Sequence, residues 1–142
     1  MLETIRVGLV DDHAIVRAGL RQFFVDLGDI EVVGEADSGR AAIDLVRECS
    51  MDVLLMDLSM PGQTGLDALA MIRAKAPELK VLILSSYPEE HYAQHLLRLG
   101  AMGYLNKQCE PDDIAAAIRV VAHGETYLSA KMQAAQAQHK SQ

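Results

Sequence analysis

The stretch V-L-L-M-D-L-S-M-P-G, residues Val53–Gly62, joins four consecutive apolar residues to a single carboxylate, Asp57. A short apolar run bounded by turn residues is typical of a strand that is buried on both faces. Pro61 and Gly62 then interrupt regular structure. Asp57 is therefore either an ordinary turn residue or a reactive group held at the edge of a sheet. The rest of the sequence decides between these two interpretations.

Short apolar runs alternate with segments of helical period along most of the chain. The runs are rich in Val, Ile and Leu, which predicts strands, and the intervening segments repeat apolar residues every three or four positions, which predicts half-buried helices. Strands that alternate with helices indicate a doubly wound α/β fold, in which helices cover both faces of a parallel sheet. The predicted strands are residues 5–10, 30–36, 51–56, 79–84 and 101–105, and the predicted helices are residues 13–27, 39–48, 65–76, 88–99 and 111–123.

The predicted helix ends carry suitable residues. Pro88 and Pro111 each stand at a first helical position, and the acids that follow them favour a helix N-terminus. Gly28, Gly100 and Gly124 each follow a predicted helix, where a left-handed residue is expected to end it.

Composition excludes several classes of function. The 142-residue chain has a formal net charge of −7, which disfavours nucleic-acid binding by this domain, because phosphate contacts need clustered Lys and Arg. Cys49 and Cys109 match no metal-site spacing and predict free thiols. The N-terminus does not read as a signal peptide, and no apolar run approaches the ~20 residues of a membrane span. We therefore expect a cytoplasmic protein.

Every predicted strand is followed by polar residues, at the edge where doubly wound sheets bind their ligands. Taken singly, each of these residues has an ordinary explanation as a helix cap or a turn residue. The residues are Asp11-Asp12, Asp37-Ser38, Asp57, Ser85-Ser86 and Asn106-Lys107.

If the first and third strands are neighbours, Asp11, Asp12 and Asp57 share one crevice. Two unit charges ~4 Å apart repel by about 4 kcal/mol at an effective dielectric of ~20, so three carboxylates require a counter-charge. Mg²⁺, which prefers oxygen ligands, meets that requirement. Lys107 adds a second cation, and Ser85 adds a hydroxyl donor. This set suits a phosphoryl group, with a carboxylate as its acceptor, because no Cys or His is placed to serve.

The chain resembles the receiver domains of bacterial two-component response regulators over residues 4–128. Four separated motifs carry the resemblance: D-D-H-A-I-V-R-A-G-L (11–20), M-D-L-S-M-P-G-Q-T-G-L (56–66), L-S-S-Y (84–87) and G-Y-L-N-K (103–107). The first and last are most similar to the subfamily with a C-terminal helix-turn-helix DNA-binding domain.

The resemblance implies a fold and a domain organisation. The fold is the flavodoxin-like (βα)5 arrangement, a five-stranded parallel sheet in the order 2-1-3-4-5. A receiver domain is expected over residues 1–128. Residues 129–142, which are rich in Ala and Gln and could bury little, are interpreted as a linker or tail, possibly helical.

The resemblance also implies a role for each site residue. Asp57 would accept a phosphoryl group from a histidine kinase or phosphotransfer protein. The chain would catalyse its own phosphorylation and dephosphorylation without being a conventional enzyme. Mg²⁺ would be held by Asp11, Asp12, Asp57 and the backbone carbonyl of Ser59, and Lys107 would pair with the phosphoryl oxygens.

The implied switch consists of Ser85, which would turn to the phosphoryl group, and Tyr104, which would follow inward. Ser59 and Tyr87 stand where the family often tunes the lifetime of the aspartyl phosphate. The output would be transcription through a DNA-binding domain, with homodimerisation on phosphorylation. Gln108 follows Lys107 where many receivers have proline, so we do not expect a cis peptide there.

Three alternatives fit the sequence less well than a phosphorylated receiver. A phosphatase with an aspartate nucleophile requires a second acid two residues later, where this chain has Ser59. A flavin-binding protein requires a phosphate loop after the first strand, where Asp11 and Asp12 would repel a phosphate. A stand-alone or degenerate receiver would act by protein–protein interaction.

His91 and His95 are interpreted as a solvated helix face.

Overall fold

The computed structural model describes residues 4–58, 65–85 and 95–128. Within them five parallel strands form one sheet in the order β2-β1-β3-β4-β5, which confirms the predicted flavodoxin-like topology. The strands are β1 (Ile5–Val10), β2 (Ile30–Ala36), β3 (Val53–Asp57), β4 (Lys80–Ser85) and β5 (Gly103–Asn106). The helices are α1 (Ala14–Leu27), α2 (Gly39–Glu48), α3 (Gly65–Lys75), α4, described over residues 95–98, and α5 (Pro111–Ala122).

The central strand β3 shows why both faces of the sheet are covered. Its side chains point alternately to opposite faces, and all five residues are buried. Val53 and Leu55 pack with α1 and α5, where Phe24 and Ile118 are fully buried. The other face packs against α2, α3 and α4. Burial on two faces explains the continuous apolar run that the sequence shows at this strand.

The later strands end beyond their predicted limits. Asp57 and Ser85 were expected just after their strands, but each is the last strand residue, because the parallel ladder continues through the pairs Asp57–Leu84 and Ser85–Asn106. The ladder therefore holds the backbone of both polar residues. Strands β3, β4 and β5 also begin one or two residues later than predicted.

The helix ends follow the sequence signals within the described residues. Gly28, Gly100 and Gly124 have positive φ values of 86°, 106° and 89°, as predicted. Pro111 is the first residue of α5, which a capping box between Glu110 and Asp113 closes. Pro88, His91 and residues 129–142 lie outside the described residues. Of the helices described, none has the length and apolar character that crossing a bilayer requires.

Candidate functional site

Parallel pairing of β1 with β3 places two carboxylates side by side. Val10 pairs with Met56, so Asp11, directly after β1, lies beside Asp57 at the end of β3. The residue exposures are 5% for Asp11 and 1% for Asp57. Asp12 is exposed at the rim. The crevice therefore has two buried acids below one solvent-facing acid. The sequence predicted that these three carboxylates share one crevice if the strands are neighbours, and β1 and β3 do pair.

Lys107, which directly follows β5, contacts the acids from the β5 side of the sheet. Its Nζ donates a hydrogen bond to Oδ2 of Asp57 at 2.8 Å and lies 3.1 Å from Oδ2 of Asp11 in an ion pair. The pair with Asp11 does not have hydrogen-bond geometry. The backbone N–H of Lys107 donates to the carbonyl oxygen of Ser85 at 2.8 Å, and this bond holds Lys107 beside the end of β4. One ammonium thus bridges two buried carboxylates.

These interactions favour the charged forms of Asp11 and Lys107. Burial raises the pKa of Asp11, but hydrogen bonds from the backbone and side chain of His13, together with the neighbouring Lys107, outweigh burial and leave the pKa below its usual value. Burial lowers the pKa of Lys107, but its interactions with Asp57 and Asp11 outweigh burial and raise the pKa. Asp11 is therefore a carboxylate and Lys107 an ammonium at neutral pH.

His13 belongs to this cluster, although it is not among the site residues expected from the sequence. Its Nδ1 lies 2.9 Å from Oδ1 of Asp11 and 3.0 Å from Oδ1 of Asp12. Its backbone N–H also donates to Oδ1 of Asp11 at 2.8 Å. Its place directly after the acid pair was the available signal. One donor atom each from Asp11, Asp12, His13 and Asp57 lies within 4.8 Å of the other three.

The donor set fits a hard divalent cation. Three carboxylates supply the anionic oxygens that Mg²⁺ prefers, and the rim carboxylate of Asp12 leaves that side of the site open to water and to a phosphate oxygen. Among the described residues, Lys107 is the ammonium that pairs with these carboxylates, and it offsets only part of their charge. The acidic cluster Asp11, Asp12 and Asp57 is typical of the Mg²⁺ site of receiver domains.

The remaining predicted residues divide into two groups. Ser85 and Tyr104 are described and buried, with exposures of 0% and 1%. Tyr104 packs among the side chains between the sheet and helices α2, α3 and α4. Ser59 and Tyr87 lie outside the described residues. The peptide between Lys107 and Gln108 is trans, since no described peptide bond is cis.

The fold and this cluster define a receiver domain. The response regulator receiver domain family matches residues 7–119. The chain belongs to that family, whose members are not conventional enzymes.

The relatives are response regulators. "Response regulator UvrY" of Escherichia coli (strain K12) is 41% identical over 125 residues, which are 88% of this chain and 57% of UvrY. The chain thus spans under two thirds of that relative's length. The crystal structure of a two-component response regulator of the LuxR family from Aurantimonas sp. SI85-9A1 has a TM-score of 0.89 at 31% identity, covering 99% of this chain and 100% of that one.

A third relative was solved with a phosphomimetic and with DNA. RcsB from Salmonella enterica serovar Typhimurium, bound to a promoter in the presence of BeF3⁻, has a TM-score of 0.79 at 28% identity. The match covers 88% of this chain and 62% of that chain.

Proposed function

We propose that this chain is a phosphorylation-dependent switch that accepts a phosphoryl group on Asp57 from a sensor histidine kinase or phosphotransfer protein. A single observation carries the proposal. The buried carboxylate of Asp57 ends the central strand with the ammonium of Lys107 2.8 Å from its Oδ2 and with Asp11 and Asp12 in the same cluster. A carboxylate that served only as a turn residue would need none of these neighbours.

The chemistry follows from these groups. An oxygen of Asp57 forms a bond to phosphorus while the bond from phosphorus to the donor nitrogen breaks, and the leaving imidazole takes up a proton. Lys107 balances the charge on the phosphoryl oxygens. Asp11, Asp12, Asp57 and, as the family resemblance implies, the backbone carbonyl of Ser59 would hold Mg²⁺, which would supply further positive charge. The ladder at the end of β3 holds the backbone of Asp57 throughout.

Ser85 and Tyr104 are proposed to transmit the change. Phosphorylation adds acceptor oxygens to which the hydroxyl of Ser85 can donate, and this biases an equilibrium between two conformations that the position of Tyr104 reports. Lys107 is joined to both elements, since its N–H bonds Ser85 and since it directly follows β5, which carries Tyr104.

The output is proposed to be transcriptional. Residues 1–128 would form the receiver, and residues 129–142 would link it to a DNA-binding domain like that of the regulators it resembles. The RcsB structure with a promoter supports DNA as the eventual target. Homodimerisation on phosphorylation and a cytoplasmic location complete the proposal.

Incubation with acetyl phosphate and Mg²⁺, followed by mass spectrometry of the intact chain, tests the phosphoacceptor. We expect a gain of one phosphoryl group in the wild type and none in Asp57→Asn. Asp26→Asn, which changes an exposed carboxylate on α1, is the matched control and should gain the same mass as the wild type.

No gain in the wild type would favour the alternative of a receiver that acts by protein–protein interaction alone. An equal gain in Asp57→Asn would place the phosphoryl group elsewhere. Either result would overturn the proposed function.

A further inference from the structure

Arg17 of α1 contacts the backbone of the acidic cluster. Its Nη1 donates to the carbonyl oxygen of Asp11 at 2.5 Å, and its Nε donates to Oε1 of Glu35 at 3.0 Å. The Arg17 side chain is 19% exposed and lines a small cavity that Asp11 and Asp57 also line. A half-buried guanidinium thus joins β2 to the turn that presents the acids.

Glu35 of β2 holds the Arg17 guanidinium. Hydrogen bonds from Arg21 and then from Arg17 hold the pKa of Glu35 below its usual value against the opposing effect of burial, so the carboxylate is charged at neutral pH. Arg21 reaches Glu35 through Nε at 3.0 Å and Nη2 at 2.5 Å. No described hydrogen bond joins Arg21 to Asp11, so the two arginines differ in their contact with the cluster.

The backbone of Asp11 is held at both ends of the residue. Its N–H donates to the carbonyl oxygen of Ala36 at 3.1 Å, and its carbonyl oxygen accepts the bond from Arg17. That carbonyl belongs to the peptide between Asp11 and Asp12. The orientation of this peptide helps to set the direction in which the Asp12 side chain leaves the backbone, and the bond from Arg17 constrains that orientation.

We propose that Arg17, held by Glu35, is a positioning residue that orients the Asp11–Asp12 turn for a divalent cation. The inference rests on the proposed function, because it concerns the cation that the phosphoacceptor site would use. Mutation of a residue that orients a metal ligand without binding the metal itself typically lowers metal affinity by about 10- to 100-fold. The expected effect is of that order.

The sign of the effect separates positioning from charge. A guanidinium beside a cation site repels the cation, so its removal on electrostatic grounds alone would tighten Mg²⁺ binding. Loss of positioning weakens binding instead. Arg17→Lys keeps the charge, but a single ammonium lacks the planar fork that reaches Asp11 and Glu35 together. Both Arg17→Lys and Arg17→Met should therefore bind Mg²⁺ less tightly.

Calorimetric titration of the full 142-residue chain with MgCl2 provides the test. We expect the Mg²⁺ Kd to rise about tenfold in Arg17→Lys and Arg17→Met, and to rise by a smaller factor in Glu35→Gln. Arg21→Met is the control, because it also removes one positive charge that pairs with Glu35 but leaves the contact with Asp11 intact. The Mg²⁺ Kd of this variant should stay within about twofold of the wild-type value.

Thermal unfolding without metal, measured for each variant, separates a loss of fold stability from a loss of affinity. An unchanged Kd in Arg17→Lys, with or without a lower melting temperature, would overturn the inference, and so would tighter binding in Arg17→Met. Failure of the wild type to bind Mg²⁺, or an unchanged Kd in Asp12→Ala, would instead overturn the proposed cation site and with it this inference.

Discussion

Replacement of Lys107 by methionine removes the cation that bridges two buried carboxylates. Its Nζ lies 2.8 Å from Asp57 and 3.1 Å from Asp11, so the Coulomb attractions are about 6 and 5 kcal/mol at an effective dielectric of ~20. Desolvation of the ammonium offsets most of this gain. Breaking a buried ion pair typically costs about 3–5 kcal/mol, and the 19% exposure of the Lys107 side chain favours the lower limit of that range.

The loss should depend on Mg²⁺. We expect the free energy of unfolding of Lys107→Met to fall by about 3 kcal/mol in EDTA. A divalent cation can replace the missing charge, so Mg²⁺ should bind the variant more tightly. A tenfold lower Kd corresponds to about 1.4 kcal/mol, which would reduce the loss to about 1.6 kcal/mol at the same saturating Mg²⁺.

Urea denaturation followed by far-ultraviolet circular dichroism, with EDTA and with Mg²⁺, measures both losses. Lys75→Met, which alters an exposed lysine at the end of α3, is the control and should change stability by less than about 0.5 kcal/mol in either buffer. An equal loss for Lys107→Met in the two buffers would refute the reasoning, because it would mean that Lys107 and Mg²⁺ do not share the same carboxylates.

Three further variants test separate parts of the molecule. Asp12→Ala should raise the Mg²⁺ Kd at least about tenfold by calorimetry; an unchanged Kd would exclude this carboxylate as a ligand. The two hydrogen bonds from Arg119 outweigh burial and hold the pKa of Asp29 below its usual value, so the stabilisation is present above about pH 4 and is lost as the pH falls through the folded pKa. Asp29→Asn should therefore cost about 0.5–1 kcal/mol at pH 7 for this partly exposed pair, and the cost should shrink progressively as the pH falls below about 4, by urea denaturation; a loss independent of pH would contradict this. Gly103→Ala should lower the free energy of unfolding by about 1–3 kcal/mol, because the added Cβ would lie 2.8 Å from the carbonyl oxygen of Tyr127; unchanged stability would show that the segment after α5 yields freely.

The sheet was predictable because its pattern is local. Each strand is a short apolar run, and the run at β3 is continuous because both of its faces are buried. The residue at which each ladder stops was less predictable. Asp57 and Ser85 lie within strands because their partners on the neighbouring strands still pair with them, and no signal in either segment alone reports where a neighbour ends.

The grouping of the carboxylates with Lys107 was predictable from the topology of the sheet. Parallel strands bring their carboxyl ends to one edge of a sheet, so position in the chain is enough to place Asp11, Asp57 and Lys107 together. The contacts of Arg17 were not predictable in this way. Its partner Glu35 is 18 residues away and belongs to another strand, and the bond to Asp11 depends on a side-chain conformation that hydrophobic period does not report.

Charge balance explains why such a site would need a bound metal cation in addition to the ammonium of Lys107. Among the described side chains, the three carboxylates of the cluster face one ammonium, because the nearby Arg17 guanidinium is paired with Glu35. With His13 counted as neutral, this leaves an excess of two negative charges. A divalent cation would cancel that excess. Phosphorylation of Asp57 would replace a carboxylate of charge −1 by an acyl phosphate of charge near −2, so the need for positive charge would grow at the moment of transfer. Lys107 alone could not meet it, because it is already shared between Asp57 and Asp11. The phosphorylated form should therefore depend on Mg²⁺ more strongly than the form described here, and the turn that Arg17 holds is where that dependence would be set.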